Sequence, residues 1–159
     1  MALRYIRTNE DDLLRKKSKP VTEINNKILT LLDDMNDTIV SANGLGLAAP
    51  QVGVLRRVAI IKTEDAHYEL INPEIVETKD SQVKSEACLS VPRKQGKVER
   101  PGYVRVRATN RDGEEYEVEG TELLAVAFCH EIDHLDGILF IDRATEITDR
   151  EDGEDAEEV

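Results

Sequence analysis

His130-Glu131-Ile132-Asp133-His134 is the stretch whose residue types and spacing can do chemistry. Two histidines four residues apart sit one turn apart on the same helix face, so both imidazoles can reach one ion. Glu131 lies about 100° around the axis from His130. It can lean over an open position of that ion without becoming a ligand, which suits a base acting on water at a metal. The pattern also arises by chance on solvated helices, but its surroundings here argue against that. Leu123, Leu124, Ala125, Val126, Ala127, Phe128, Cys129, Ile132 and Leu135 cover most of the helix circumference. A helix this apolar is buried on nearly every side. It cannot carry four ionisable residues into a core without partners, because unpaired buried charge is costly. Metal ligation, with hydrogen bonds behind the ligands, would resolve that cost.

A catalytic ion usually has a third protein ligand and one position left for water. Three sources are open. An endopeptidase of the extended-motif kind would supply a later histidine. His134-Leu-Asp-Gly137 follows that pattern, but the required position holds Phe140. Another class of peptidase recruits a later glutamate, and Glu146 and the acidic end offer one without a clear helix to present it. The third source is a cysteine. Cys129 adjoins His130 and points away from the two-histidine face, whereas Cys88 lies in an irregular segment, Ser85-Glu-Ala-Cys-Leu-Ser-Val-Pro92. An ordinary buried thiol is the plain alternative for either one.

The elements that must position these groups follow from periodicity. A buried helix spans about Thr121 to Leu135, and Gly137, tolerant of the left-handed conformation, ends it. Ile24, Ile28, Leu31, Met35 and Ile39 recur at helical spacing and predict a second helix, with Thr22 as its cap. A short helix is expected over 11–17, stopped by Pro20. Asn43 to Gln51 carries two glycines and a proline and reads as a shaped loop. Strands are expected at Arg57–Ile61, at His67–Ile71 closed by Asn72-Pro73, from Ile75, and at Ile138–Ile141. Lys84 to Gln95 reads as a loop. Tyr103–Ala108 and Tyr116–Glu119 alternate around the Asn110–Gly113 turn and form a hairpin with one wet face. The expected fold is α+β, with mixed or antiparallel sheets folded around the central buried helix.

The chain has 159 residues, 40% hydrophobic and 34% charged, with a net charge of −12. That suits one soluble catalytic domain over 1–149 and an acidic, disordered tail over 150–159. The charge argues against sequence-blind contact with nucleic acid. Two cysteines make no disulfide framework. The first fifteen residues lack the apolar run of a signal peptide, and no segment is apolar enough to span a bilayer, so a cytoplasmic location is expected.

Three segments, in order, resemble the peptide deformylase family: Gly44-Leu-Gly-Leu-Ala-Ala-Pro-Gln51, Glu86-Ala-Cys-Leu-Ser90 and His130-Glu-Ile-Asp-His-Leu-Asp-Gly137. Leu14-Arg15, Pro20-Val21 and Asn72-Pro73 also fit, so the resemblance spans about 14–141. It implies that Cys88, His130 and His134 hold one divalent ion, ferrous iron natively, with nickel, cobalt or zinc able to replace it. It implies that Glu131 is the acid/base, and that the Gln51 amide and the Leu89 backbone N–H hold the formyl oxygen. Gly44 and Gly46 would shape the loop along which substrate lies, and Leu45, Leu124, Val126 and Ala127 would wall a methionine pocket beside His130. The implied substrate is the N-formylmethionyl end of a nascent chain, met near the ribosome's exit site by a monomer that binds neither membrane nor specific nucleic acid sequences.

Ala87 stands where the family has glycine and Cys129 where it commonly has glutamine. If the glycine is there for positive φ, Ala87 is strained; if for close approach, its methyl crowds the site mouth. Cys129 reads as a small buried filler. An ion pair is the first expectation for Glu86, and a contact to the substrate amine the second. Asp133 is expected to pair with an arginine, Arg100 or Arg105, and His67 to be an ordinary surface or edge residue. Two rival functions differ in class: a metallo-endopeptidase, and a silent homologue that only binds metal or formylated peptide.

Overall fold

The computed structural model describes residues 2–150. The acidic tail expected at the end of the chain lies, from 151 onward, outside the described residues. Two antiparallel sheets hold the architecture. The first has the order β1-β2-β3-β6-β7, built from β1 (Gly46–Ala48), β2 (Val58–Lys62), β3 (His67–Lys79), β6 (Tyr103–Thr109) and β7 (Glu115–Thr121). The second has the order β4-β5-β8, from β4 (Gln82–Cys88), β5 (Val91–Arg100) and β8 (Thr145–Asp149). Helix α1 spans Asn26–Ala42 and α2 spans Glu122–Leu135. Short 3₁₀ turns occupy Asp12–Arg15, Ala49–Val52 and Phe140–Asp142.

Helix α2 packs against β7, β1, β2 and β6 of the first sheet and also meets β5 of the second. Ala125, Val126, Ala127, Phe128, Ile132 and Leu135 are buried with Ala59, Ile61, Leu70, Val104 and Val106. The continuous apolar circumference read from the sequence is therefore used on all sides. A second cluster joins α1 through Leu31, Leu32, Met35 and Ile39 to Leu47, Val58 and Ile60. A third lies against the second sheet and unites Leu14, Cys88, Val91, Val98, Leu139 and Phe140. Among the described residues, no helix is long and apolar enough to cross a membrane.

Several local expectations change. Asn25, not Thr22, caps α1: its side chain accepts from the Ile28 N–H. The segment 11–17 is a single 3₁₀ turn capped by Asp11 rather than an α-helix. Asn72-Pro73 does not close a strand. It sits at a register shift inside β3, with Asn72 at φ 52 and its side chain bonded to the main chain of Val21 in both directions. A bulge absorbs the missing proline N–H, so the strand continues. The expected loop over Lys84 to Gln95 is the β4–β5 hairpin, which bends sharply where Glu86 pairs with Gly96 and Cys88 with Val91. The expected strand at Ile138–Ile141 is a 3₁₀ turn, and the terminal strand comes later, as β8.

Gly137 ends α2 at φ 77, as its type suggests. A Cβ there would also lie 2.5 Å from the Arg15 carbonyl oxygen. Both the backbone conformation and the close approach therefore require glycine. Gly137→Ala should destabilise the fold by at least about 1 kcal/mol. Denaturant unfolding of the two proteins side by side checks this; equal midpoints would contradict it.

Candidate metal centre

Cys88, His130 and His134 come together although they stem from different elements. One ligand atom from each lies within 4.8 Å of the others, and all three residues are buried. Helix α2 supplies the histidines one turn apart, with ring centroids separated by 4.9 Å. The bend at the end of β4 delivers Cys88, whose Sγ stands 3.4 Å from His134 Nε2. Of the three ligand sources open from the sequence, the structure selects this thiol. Phe140 instead packs its ring along His130, centroids 6.2 Å apart. Glu146 is exposed on β8, where it pairs with Lys97. Cys129 is buried in the core around α2, and desolvation pushes its thiol up to about 11, as befits an inert filler.

The surroundings orient His130 and desolvate His134. His130 Nδ1 donates to Glu86 Oε1 at 2.9 Å, which leaves its Nε2 as the lone-pair nitrogen. Burial holds the His134 imidazole well below its usual range, and His130 and Arg100 add to the effect. His130 Nε2 and His134 Nδ1 are buried without a hydrogen-bond partner, as are both carboxylate oxygens of Glu131. Each such orphan ordinarily costs about 1–3 kcal/mol. Orphaned groups beside a thiol and two imidazoles fit a divalent cation and a water. Desolvation first, then the Glu86 charge, raises the Glu131 carboxyl well above the usual range. A cation in the ligand set would draw it back toward the ionised form.

Behind the ligands runs a chain of charges. Burial alone would raise the Glu86 carboxyl, but hydrogen bonds from Arg100 and His130 outweigh it and hold the group low. Arg100 grips Glu86 with two bonds of 2.9 Å and reaches Asp133 at 2.7 Å. Asp133 also takes two bonds from Arg143. Of the two arginines offered for Asp133, Arg100 is the partner; Arg105 pairs with Glu77 and Glu117 on the wet face of the hairpin. Glu86 is 1% exposed and both its oxygens are engaged, so it meets the first expectation, an ion pair, and not the second, a substrate amine. His67 is an exposed residue that contacts Asn36.

Around the ligands, Gly46 passes so close to Glu131 that a Cβ would fall 2.5 Å from its Oε2. The glycine therefore gives the carboxylate its room. A Cβ on Gly44 would meet Leu89 Cδ1 at 3.1 Å, so the glycine loop and the β4–β5 turn lie against each other. Gln51 is fully buried, with Nε2 3.0 Å from Ser90 Oγ and 3.6 Å from Cys88 Sγ. Ala87 is buried and is not among the residues of positive φ, so the backbone strain expected of one alternative is absent. Val126 and Ala127 are core residues, and Leu45 is half-buried beside them. Leu124 leans toward β7, where a Cβ on Gly120 would lie 2.9 Å from its Cγ. Leu123 is seven residues before His130, hence within about 20° of it around the axis. The helical spacing that identified the histidines could have identified it too.

A Cys88→Ala protein should lose the tightly held equivalent of metal while His130 and His134 remain in place. Two imidazoles alone bind far more weakly than a set completed by a thiolate. Metal content after dialysis against a chelator measures this; full retention would remove Cys88 from the ligand set.

Comparisons with known proteins agree with this geometry. The family model described as polypeptide deformylase matches residues 3–150. A peptide deformylase of Acetivibrio thermocellus is 57% identical over 154 residues, covering 97% of this chain and 91% of the relative. One from Thermoanaerobacter pseudethanolicus is 54% identical over the full length of both chains, 159 residues. The crystal structure of a peptide deformylase from Legionella pneumophila superposes with a TM-score of 0.87 at 40% identity, covering 91% of this chain and 87% of the other. That from Thermotoga maritima gives 0.87 at 38% identity, covering 90% and 98%. With its three ligands on a bent hairpin and a buried helix, as the motifs implied, this chain belongs to the polypeptide deformylase family, metal-dependent hydrolases that remove the N-formyl group from polypeptides.

Proposed function

We propose that Glu131 is the proton carrier of the deformylation and that Gln51 and Leu89 bind the formyl oxygen. The observation that carries this reading is the Glu131 carboxyl, fully buried, unpartnered and on the same helix as two ligands. A divalent ion, which Cys88, His130 and His134 would hold, would supply Lewis acidity and a water activated near neutral pH. Glu131 accepts the proton that water gives up and delivers it to the amine nitrogen as the formyl C–N bond breaks. Water and the formamide thus become formate and a free amino terminus. The Gln51 side-chain amide and the Leu89 backbone N–H donate to the oxygen as charge develops on it.

Substrates are polypeptides carrying an N-terminal formyl group, and N-formylmethionyl nascent chains are the class that fits the apolar groups near His130. Leu45, Val126 and Ala127, together with Leu123 on the His130 side of α2, form the pocket wall in this reading. Leu124 is a further wall in this reading. Gly44 and Gly46 keep the loop bare of side chains where the substrate main chain runs. Ferrous iron is the native ion, with nickel, cobalt and zinc as substitutes, because one thiolate and two imidazoles accept all of them. The chain acts as a single catalytic domain and a monomer, in the cytoplasm, where formylated chains leave the ribosome.

Formate release from a formyl-Met peptide, against the same peptide unformylated, tests the reaction. Glu131→Gln should keep metal and fold but lose about 10²–10⁴-fold in turnover, since an amide cannot accept the proton. Metal content and turnover on one sample decide it; near-normal turnover would remove Glu131 from the role.

Ion identity has its own test. The iron-loaded protein should be the most active and should lose activity in air, while the nickel-loaded protein endures. The Cys88 thiolate beside a redox-active ion is the group exposed to oxidation beyond sulfenic acid. Activity against time, with Cys88 oxidation followed by mass, checks both; durable iron protein beside decaying nickel protein would contradict it.

A further inference from the structure

We infer that Ser90 is the positioning residue of the reaction, holding the Gln51 amide at the angle from which it donates to the formyl oxygen. This rests on the reading of Gln51 as that donor. Gln51 Oε1 accepts from the Ala48 N–H at 2.9 Å. A backbone N–H can only donate, so this contact alone dictates which end of the amide is oxygen and turns the NH₂ toward β4. Nε2 then has two hydrogens and two neighbours. Ser90 Oγ takes one at 3.0 Å. Cys88 Sγ is 3.6 Å away, the longer and weaker contact, and this second hydrogen is the one an incoming carbonyl oxygen can claim. Ser90 is fully buried and lies two residues from the ligand Cys88, so its hydroxyl faces the amide inside the protein.

The backbone supports the same arrangement independently. The Arg7 N–H donates to the Gln51 carbonyl at 2.7 Å and the Asn9 N–H donates to the Ser90 carbonyl at 2.7 Å. One extended segment thus ties both residues to a common strap and fixes the distance between them. The strap is itself anchored, by Arg7 pairing with Asp11 and by Asp11 capping the first helical turn. An oxyanion donor contributes most when it is aimed before the charge forms. Ser90, Ala48 and the strap together set that aim.

The experiment is a double-mutant cycle on Gln51→Ala and Ser90→Ala, with kcat, KM and metal content measured on formyl-Met peptide for nickel-loaded proteins. Gln51→Ala should lose about 10²–10³-fold in kcat. Ser90→Ala should lose up to about 10²-fold in kcat, with KM and metal unchanged. The double variant should be no slower than Gln51→Ala, because Ser90 acts through Gln51. Ser90→Thr, which keeps a hydroxyl, should recover most of the rate. Full kcat in Gln51→Ala overturns the reading of Gln51. A loss there with none in Ser90→Ala, or full additivity in the double variant, overturns the role of Ser90 alone. Side-chain amide NMR of the zinc-loaded protein reads the contact itself. The Gln51 pair, assigned by its absence from Gln51→Ala, should exchange slowly with water in the wild type and shift in Ser90→Ala. A wild-type pair that exchanges as fast as exposed amides overturns the proposal even if Ser90→Ala does not fold.

Discussion

Burying His130, Glu131 and His134 at essentially zero exposure on one helix is the constraint from which the rest of the structure follows. Water is gone from these groups, so each must find a partner in the protein or in a bound cation. Glu86 serves His130, Arg100 serves Glu86, and Asp133 serves Arg100. Still unserved are His130 Nε2 and the Glu131 carboxylate, and also His134 Nδ1, the ring nitrogen other than the one beside Cys88 Sγ. The charges behind the ligands are thus paired with one another, while His130 Nε2 and Glu131 are left for an ion and its water. Removing one member would strand a buried charge, which costs more than the pair itself contributes.

The sheets take their form from the need to enclose this helix. The first sheet covers its apolar side with Ala59, Ile61, Leu70, Val104 and Val106. The second brings Cys88 and Glu86 from one strand end, so a thiol ligand and the carboxylate behind a histidine ligand arrive together. Two residues apart on a regular strand, they would share a face. The bend between Glu86 and Cys88 lets one address His130 Nδ1 while the other addresses the ligand position.

Much of this could be read from the chain. The two histidines, Glu131, the encircling apolar residues of α2 and the wet-faced hairpin all depend on short-range periodicity, and they appear where periodicity places them. The features that escaped depend on contacts between distant segments. Nothing local distinguishes Arg100 from Arg105: both are arginines near a strand pairing, and only the approach of Glu86 and Asp133 separates them. The β4–β5 hairpin escaped because polar residues and Pro92 mask its alternation, and its pairing is secured by a partner strand. The continuation of β3 through Asn72-Pro73 escaped because a bulge reverses the usual meaning of proline.

The strap over residues 7–9 has a consequence for how ion binding and folding are joined. The shortest stretch of chain that contains the strap, Gln51, Ser90 and all three ligands runs from Arg7 to His134. No supersecondary unit within it holds a complete site, so no partly folded fragment can present the full constellation to an ion. Ligands that bind only the native state stabilise it by mass action. Here the state so favoured is the whole domain rather than one hairpin or helix. Loading the ion should raise the resistance of segments far from it, including the chain just before the strap, where the Ala2 and Arg4 N–H groups donate to Asp34 and Thr38 of α1, as strongly as that of the helix that carries the histidines.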